Sequence, residues 1–121
     1  MTDGGRLTTH VLDLTGGRPA AGLAIELVAL GDDGSARHLA AATTNVDGRT
    51  DAPLLAAADL RTGAYELRFA VGAYFAAQGH QLGAPPFLDV VPVRFGVADA
   101  DAHHHVPLLV TPWSYSTYRG S

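Results

Sequence analysis

The sequence predicts an all-β domain, a small sandwich of short strands with one short helix. Three observations point there. Short runs rich in β-branched and apolar residues alternate in hydrophobicity at every second position. Gly, Pro, Asn and Asp cluster between these runs, and only one stretch has helical character. At 121 residues, 47% hydrophobic and 17% charged, the chain can bury a core and does not have the composition of a disordered segment. Residues 1–121 are read as one domain, with no internal repeat, low-complexity tract or linker.

Residues 7–14 open the fold as a strand that stops at Thr15-Gly16-Gly17-Arg18-Pro19, a turn-forming cluster. On that strand Thr8, His10 and Leu12 share one face, and Thr9, Val11 and Asp13 the other. Residues 23–30 read as a second strand with Leu23, Ile25 and Leu27 inward. Gly31-Asp32-Asp33-Gly34-Ser35 is a hairpin turn, and residues 37–44 return from it. Asn45-Val46-Asp47-Gly48-Arg49 contains an Asp-Gly pair that favours a tight turn, which aims Arg49 from a fixed backbone. The alanine-rich residues 52–60 read as a loop with at most a short strand. Residues 65–69 alternate, with Tyr65, Leu67 and Phe69 inward and Glu66 and Arg68 outward. Residues 71–78 form the one helix, ended by Gly79. After the break at Gly83-Ala84-Pro85-Pro86, residues 91–97 alternate again, and Pro92 indicates an edge strand or bulge. Asp99-Ala100-Asp101 turns into a closing pair of strands.

Several function classes drop out on composition. The net charge of −4 argues against nucleic acid as a partner. All eight basic residues are Arg, which we read as a compositional habit. Without Cys there is no disulfide framework, thiolate nucleophile or cysteine zinc site. No apolar run approaches a membrane span and the first residues lack a signal-type core, so a cytoplasmic protein without a membrane partner is expected.

The closing stretch is the chemically busy one. His103-His104-His105 leads into Val106-Pro107-Leu108-Leu109, and the aromatic run 113–118 ends at Tyr118-Arg119-Gly120-Ser121. Alternation puts His103 and His105 on one face with Pro107 and Leu109, and His104 on the other with Val106, Leu108 and Val110. A His pair two residues apart on a strand can bind a metal, with His10 as a third ligand, or can simply be a solvated polar strand start. Arg49 by itself reads as a surface arginine and Tyr118-Arg119 as the snorkelling edge of a sheet. No Ser-His-Asp arrangement and no phosphate-cradling glycine motif is present, and Asp13 alternates away from His10.

Four separated motifs carry a resemblance. Thr9-His10-Val11-Leu12-Asp13, Thr44-Asn45-Val46-Asp47-Gly48-Arg49, His105-Val106-Pro107-Leu108-Leu109 and Tyr118-Arg119-Gly120-Ser121 together resemble the 5-hydroxyisourate hydrolases, the transthyretin-related enzymes of urate degradation. The terminal tetrapeptide separates these from transthyretin itself. The resemblance spans nearly the whole chain and implies a transthyretin-like (prealbumin-like) sandwich of two four-stranded sheets. It further implies a homotetramer, a dimer of dimers, with sites in the channel between dimers. The implied reaction is hydrolysis of 5-hydroxyisourate to 2-oxo-4-hydroxy-4-carboxy-5-ureidoimidazoline, without a cofactor or metal. The implied catalytic positions are His10, Arg49, His105 and Ser121, with His10, Arg49, Tyr118, Arg119 and Gly120 holding the substrate. His104 stands where Tyr is common in the family and Trp113 where Tyr is usual, and both are expected to affect packing rather than chemistry. The alternative function is a carrier that holds an aromatic ligand in the channel; crowding by His and Arg counts against it.

Overall fold

The computed structural model describes residues 4–121. In chain order the strands are β1 (Arg6–Asp13), β2 (Arg18–Pro19), β3 (Ala24–Leu30), β4 (Ala36–Thr43), β5 (Leu55–Ala56), β6 (Gly63–Ala70), β7 (Val90–Val97), β8 (His103–Val110) and β9 (Tyr115–Thr117). Helix α1 (Val71–Ala77) joins β6 to β7. They form two sheets, β2-β1-β8-β9 with β5 also on β1, and β4-β3-β6-β7. Two four-stranded sheets are thus what the chain forms in outline, with one refinement. The position outside β1 is filled in pieces: β2 pairs with Leu12 and Asp13 at one end, and β5 with Arg6 and Leu7 at the other. Residues 52–60 supply β5 and a single 3₁₀ turn at Ala57–Asp59, close to the expected loop.

Alternation sets the core. The inner face of β1 carries Leu7, Thr9, Val11 and Asp13, all buried, while Thr8, His10 and Leu12 are only half-buried on the outer face. The inner residues meet Ile25, Leu27, Leu67, Phe69, Val91 and Val93 of the second sheet, with Phe75 of α1 closing one end. Removing this apolar surface from water is the main stabilising term of the sandwich. β7 is the edge of its sheet, and Pro92 sits there opposite Arg68, so the missing N–H is tolerated as expected. Glu66 departs from the outward, solvated position expected of it. It does face out, but Arg68 Nε at 2.8 Å and Arg94 Nη2 at 3.4 Å lie over its carboxylate and bury it. Among the described residues no α-helix is long and apolar enough to cross a membrane.

Polar groups inside the core are paired. Thr9 Oγ1 donates to the Val106 carbonyl at 2.7 Å, tying β1 to β8 with a side chain as well as a ladder. Thr44 Oγ1 accepts from Leu23 N and donates to the Ala20 carbonyl. The Asp13 carboxylate accepts from Gly16 N at 2.9 Å and from the Tyr74 hydroxyl at 2.8 Å. That last bond pins α1 to the end of β1. Burial first, and then the bond to Asp13, push the Tyr74 phenol up to about 12. Replacing Tyr74 by Phe leaves a buried carboxylate short of a donor. Tyr74→Phe is expected to lower unfolding free energy by about 1–3 kcal/mol in urea titration, with the far-ultraviolet spectrum unchanged.

Candidate active site

The site lies on the outer face of the first sheet, where β1 and β8 run parallel. Their register sets Arg6 opposite His103, Thr8 opposite His105 and His10 opposite Pro107. The alternation read from sequence therefore holds: His10, His103 and His105 emerge on one side. His104 turns inward, 5% exposed, and its Nε2–H donates to the Asp99 carbonyl at 2.7 Å. His10 and His105 line a cleft of about 510 Å³ together with Arg6, Thr8, His103, Arg49, Asp51, Tyr118, Gly120 and Ser121.

Arg49 reaches this cleft because its backbone docks on the open edge of β1. Arg49 bridges His10, and the Gly48 carbonyl accepts from Val11 N at 2.8 Å. The turn leading there is organised by Asn45. Its carbonyl accepts from Gly48 N, its Oδ1 accepts from Asp47 N at 2.9 Å and Arg49 N at 3.3 Å, and its Nδ2 donates to Asp51 Oδ1. Gly48 has φ +74°, and a Cβ there would strike the Val11 carbonyl and press on Pro19 and the His10 ring. Only glycine lets the turn settle this close to His10.

The other flank is built by the terminal segment. Gly120 N donates to the His105 carbonyl at 2.8 Å, forming a second isolated bridge. A Cβ on Gly120 would meet the His105 ring carbon Cδ2 at 2.5 Å, so the backbone lies flat against the imidazole. Between this bridge and β9 the ladder is open at Pro107, which has no N–H to give; the Thr117 hydroxyl donates to its carbonyl instead. Tyr118 and Arg119 leave the strand in that gap. Tyr118, Gly120 and Ser121 border the cleft, but Arg119 does not. It lines a separate cavity of about 260 Å³ with Val93, Phe95, His104 and Val106, on the other side of the terminal segment.

Burial and neighbouring cations hold the site's imidazoles below their ordinary value. Burial first, and then the Arg49 guanidinium, hold His10 below its ordinary value; the Asp47 backbone and carboxylate oppose the shift. Burial likewise leads for His105, followed by Arg49, His103 and His10. His103 is lowered by burial and by Arg6 and His104. Thr8 Oγ1 lies 2.7 Å from His103 Nε2 and 2.8 Å from His105 Nδ1, linking two of the three rings. Among the described residues, no group of three or more His, Asp or Glu side chains converges to hold a metal ion. A free-base imidazole beside a fixed cation suits proton abstraction from water with stabilisation of the oxyanion that forms.

Arg6, Thr8, Asn45 and Asp51 are site residues that the sequence did not single out. Thr8 did carry a signal, since it shares the His10 face. The side-chain bonds of Asn45 depend on turn geometry that no spacing reports.

Comparison with known proteins fits this geometry. A family model described as HIUase/Transthyretin matches residues 7–120. The chain belongs to that family. A relative from Mesorhizobium japonicum named 5-hydroxyisourate hydrolase is 62% identical over 120 residues, covering 98% of this chain and 94% of its own length. Among solved structures, Klebsiella pneumoniae 5-hydroxyisourate hydrolase is 35% identical with a TM-score of 0.80, covering 97% of this chain and 99% of that one. An (S)-allantoin synthase is 45% identical with a TM-score of 0.91; it covers all of this chain, which corresponds to 46% of the synthase. Both likenesses confirm the transthyretin-like sandwich.

The lowered imidazoles make stability pH-dependent. Each stays neutral in the folded protein at a pH where the unfolded chain, with its ordinary imidazole value near 6.5, already binds a proton. Their contribution is fully present above that value and is lost as pH falls below it. Between about pH 7.5 and about pH 5.5 the urea midpoint is expected to drop, and the drop to shrink in a His10→Gln, His105→Gln double variant. An equal drop in both proteins would contradict the assignment.

Proposed function

We propose that this chain opens the 5-hydroxyisourate ring by adding water across a cyclic amide, giving 2-oxo-4-hydroxy-4-carboxy-5-ureidoimidazoline. The observation that carries the reading is the convergence of His10, Arg49 and His105 on one cleft from three remote parts of the chain. The 62% identity to a protein named for this activity supports it.

The chemistry follows from the arrangement. Water oxygen bonds to the ring carbonyl carbon while a neutral imidazole accepts its proton. The resulting oxyanion develops charge beside the Arg49 guanidinium, held by the Gly48–Val11 bond and the His10 bridge. The carbon–nitrogen bond then breaks, and protonation of the leaving nitrogen completes a carboxylic acid and an open ureido arm. Two imidazoles across one cleft can supply both transfers. Tyr118, Gly120 and Ser121 wall the side next to His105 and orient the heterocycle. Arg119 lines the cavity on the other side of this wall.

The reading extends to a cytoplasmic homotetramer, a dimer of dimers, in which residues 1–121 act as one domain. Leu14, Trp113 and Tyr115 support it: these apolar side chains stand exposed at the far end of the same sheet. A carrier reading is disfavoured by the polar wall of Arg6, His10, Arg49, His103 and His105, since cargo pockets are mostly apolar.

The direct test feeds purified protein freshly made urate oxidase product and follows the loss of its ultraviolet absorbance. Acceleration over the spontaneous decay is expected. His10→Ala, Arg49→Ala and His105→Ala should each cut turnover by about 10²- to 10⁴-fold with sedimentation unchanged. Removal of residues 118–121 should abolish it. A variant at near wild-type rate would remove its residue from the mechanism.

A further inference from the structure

Thr8 and His103 have no role in the mechanism above, yet their geometry is specific. The Thr8 hydroxyl sits within hydrogen-bond distance of two imidazole nitrogens at once, His103 Nε2 at 2.7 Å and His105 Nδ1 at 2.8 Å. A hydroxyl has a single proton. When it donates to one ring it must accept from the other, and in that arrangement the tautomers of His103 and His105 are complementary.

We propose that Thr8 and His103 are positioning residues for the hydrolysis, coupling the proton on His105 to a second imidazole through one hydroxyl. The proposal rests on the hydrolase reading for its catalytic consequence, though the coupling itself does not. His105 Nε2 has no partner among the described residues, and it reaches solvent, since no buried side-chain nitrogen or oxygen among them is unpaired. His105 borders the cleft, which leaves this atom available to the reacting water.

The cycle balances. In the resting state His105 donates Nδ1–H to Thr8, Thr8 donates to His103 Nε2, and His105 Nε2 is a free base. When Nε2 takes the proton of the attacking water, the Nδ1 proton passes to Thr8 and the Thr8 proton to His103. His105 is then neutral with its proton on Nε2, and the positive charge rests on His103. As the carbon–nitrogen bond breaks, Nε2 gives that proton to the leaving nitrogen and the two relay protons return. One imidazole thus serves as base and then acid without holding the charge between the two steps.

The surroundings favour that displacement. His105 is half-buried and faces Arg49 and His10 as well as His103, all of which oppose a cation on it. His103 is exposed to water, with Arg6 as the neighbouring cation. Asp51, from the turn side, is the carboxylate side chain on the cleft wall. Moving the charge outward takes it from the drier ring flanked by Arg49 to the wetter one.

The experiment has two arms. In the first, nitrogen-15 imidazole spectra of the substrate-free protein are recorded across pH. Complementary tautomers and linked titration of His103 and His105 are expected in the wild type, and independent titration in Thr8→Val. Independent titration in the wild type would overturn the coupling. In the second, Thr8→Val, which suits a strand and removes only the hydroxyl, should lower kcat at least about tenfold with KM within about twofold. Thr8→Ser should recover kcat to within about threefold of wild type. His103→Gln should match Thr8→Val, and the double variant should be no slower than either single one. Wild-type kcat in Thr8→Val, or additive losses in the double variant, would overturn the proposal. Spectra need no turnover, so a wild-type protein that fails to hydrolyse the substrate would overturn the hydrolase reading and leave the coupling to the titration.

Discussion

The parallel pairing of β1 with β8 is the constraint on which the rest of the structure depends. Parallel neighbours need a long crossover between them, and here that crossover carries the whole second sheet and α1, with β2 and β5 returning to the edge of β1 on the way. Once the two strands are paired, each has one remaining edge, and each edge receives a segment that completes the site. The edge of β1 takes the turn carrying Arg49, and the edge of β8 takes the segment carrying Gly120. His10 and His105 are thereby held from both sides by backbone hydrogen bonds. Side-chain rotamers decide little about their spacing; ladder register decides most of it.

The same arrangement sets the electrostatics. A half-buried imidazole next to a guanidinium is a poor cation and so stands as the free base, and the fold supplies that environment at His10 and His105 together. It does so at some cost to stability in mild acid. The core beneath is insulated from this chemistry, because Thr9, Asp13 and His104 on the inner faces each have an internal partner.

Much of this architecture could be read from residue order, and the boundary between what could and could not has a physical basis. Alternation states which face a side chain occupies. It therefore placed His10 with Thr8, separated His104 from His105 and turned Asp13 away from the imidazoles, as the structure bears out. Alternation does not state which strand lies alongside. The Thr8–His105 register, and with it the shared hydroxyl, depends on a pairing between segments some ninety-seven residues apart. Nor does it foresee departures from a strand. Pro107 opens the ladder opposite residue 118, and Arg119 leaves on the far side of the terminal segment from the cleft it was expected to line. Glu66 was assigned to its correct face, but Arg68 and Arg94 closing over it was not visible in a period-two pattern.

The piecemeal cover on β1 has a further consequence. A central strand with a bare outer edge would invite pairing with the edge of another molecule, a common route to aggregation. β2, the Gly48–Arg49 turn and β5 together occupy that edge, each through a few backbone bonds. The edge that presents Arg49 is in this way also protected against misassembly.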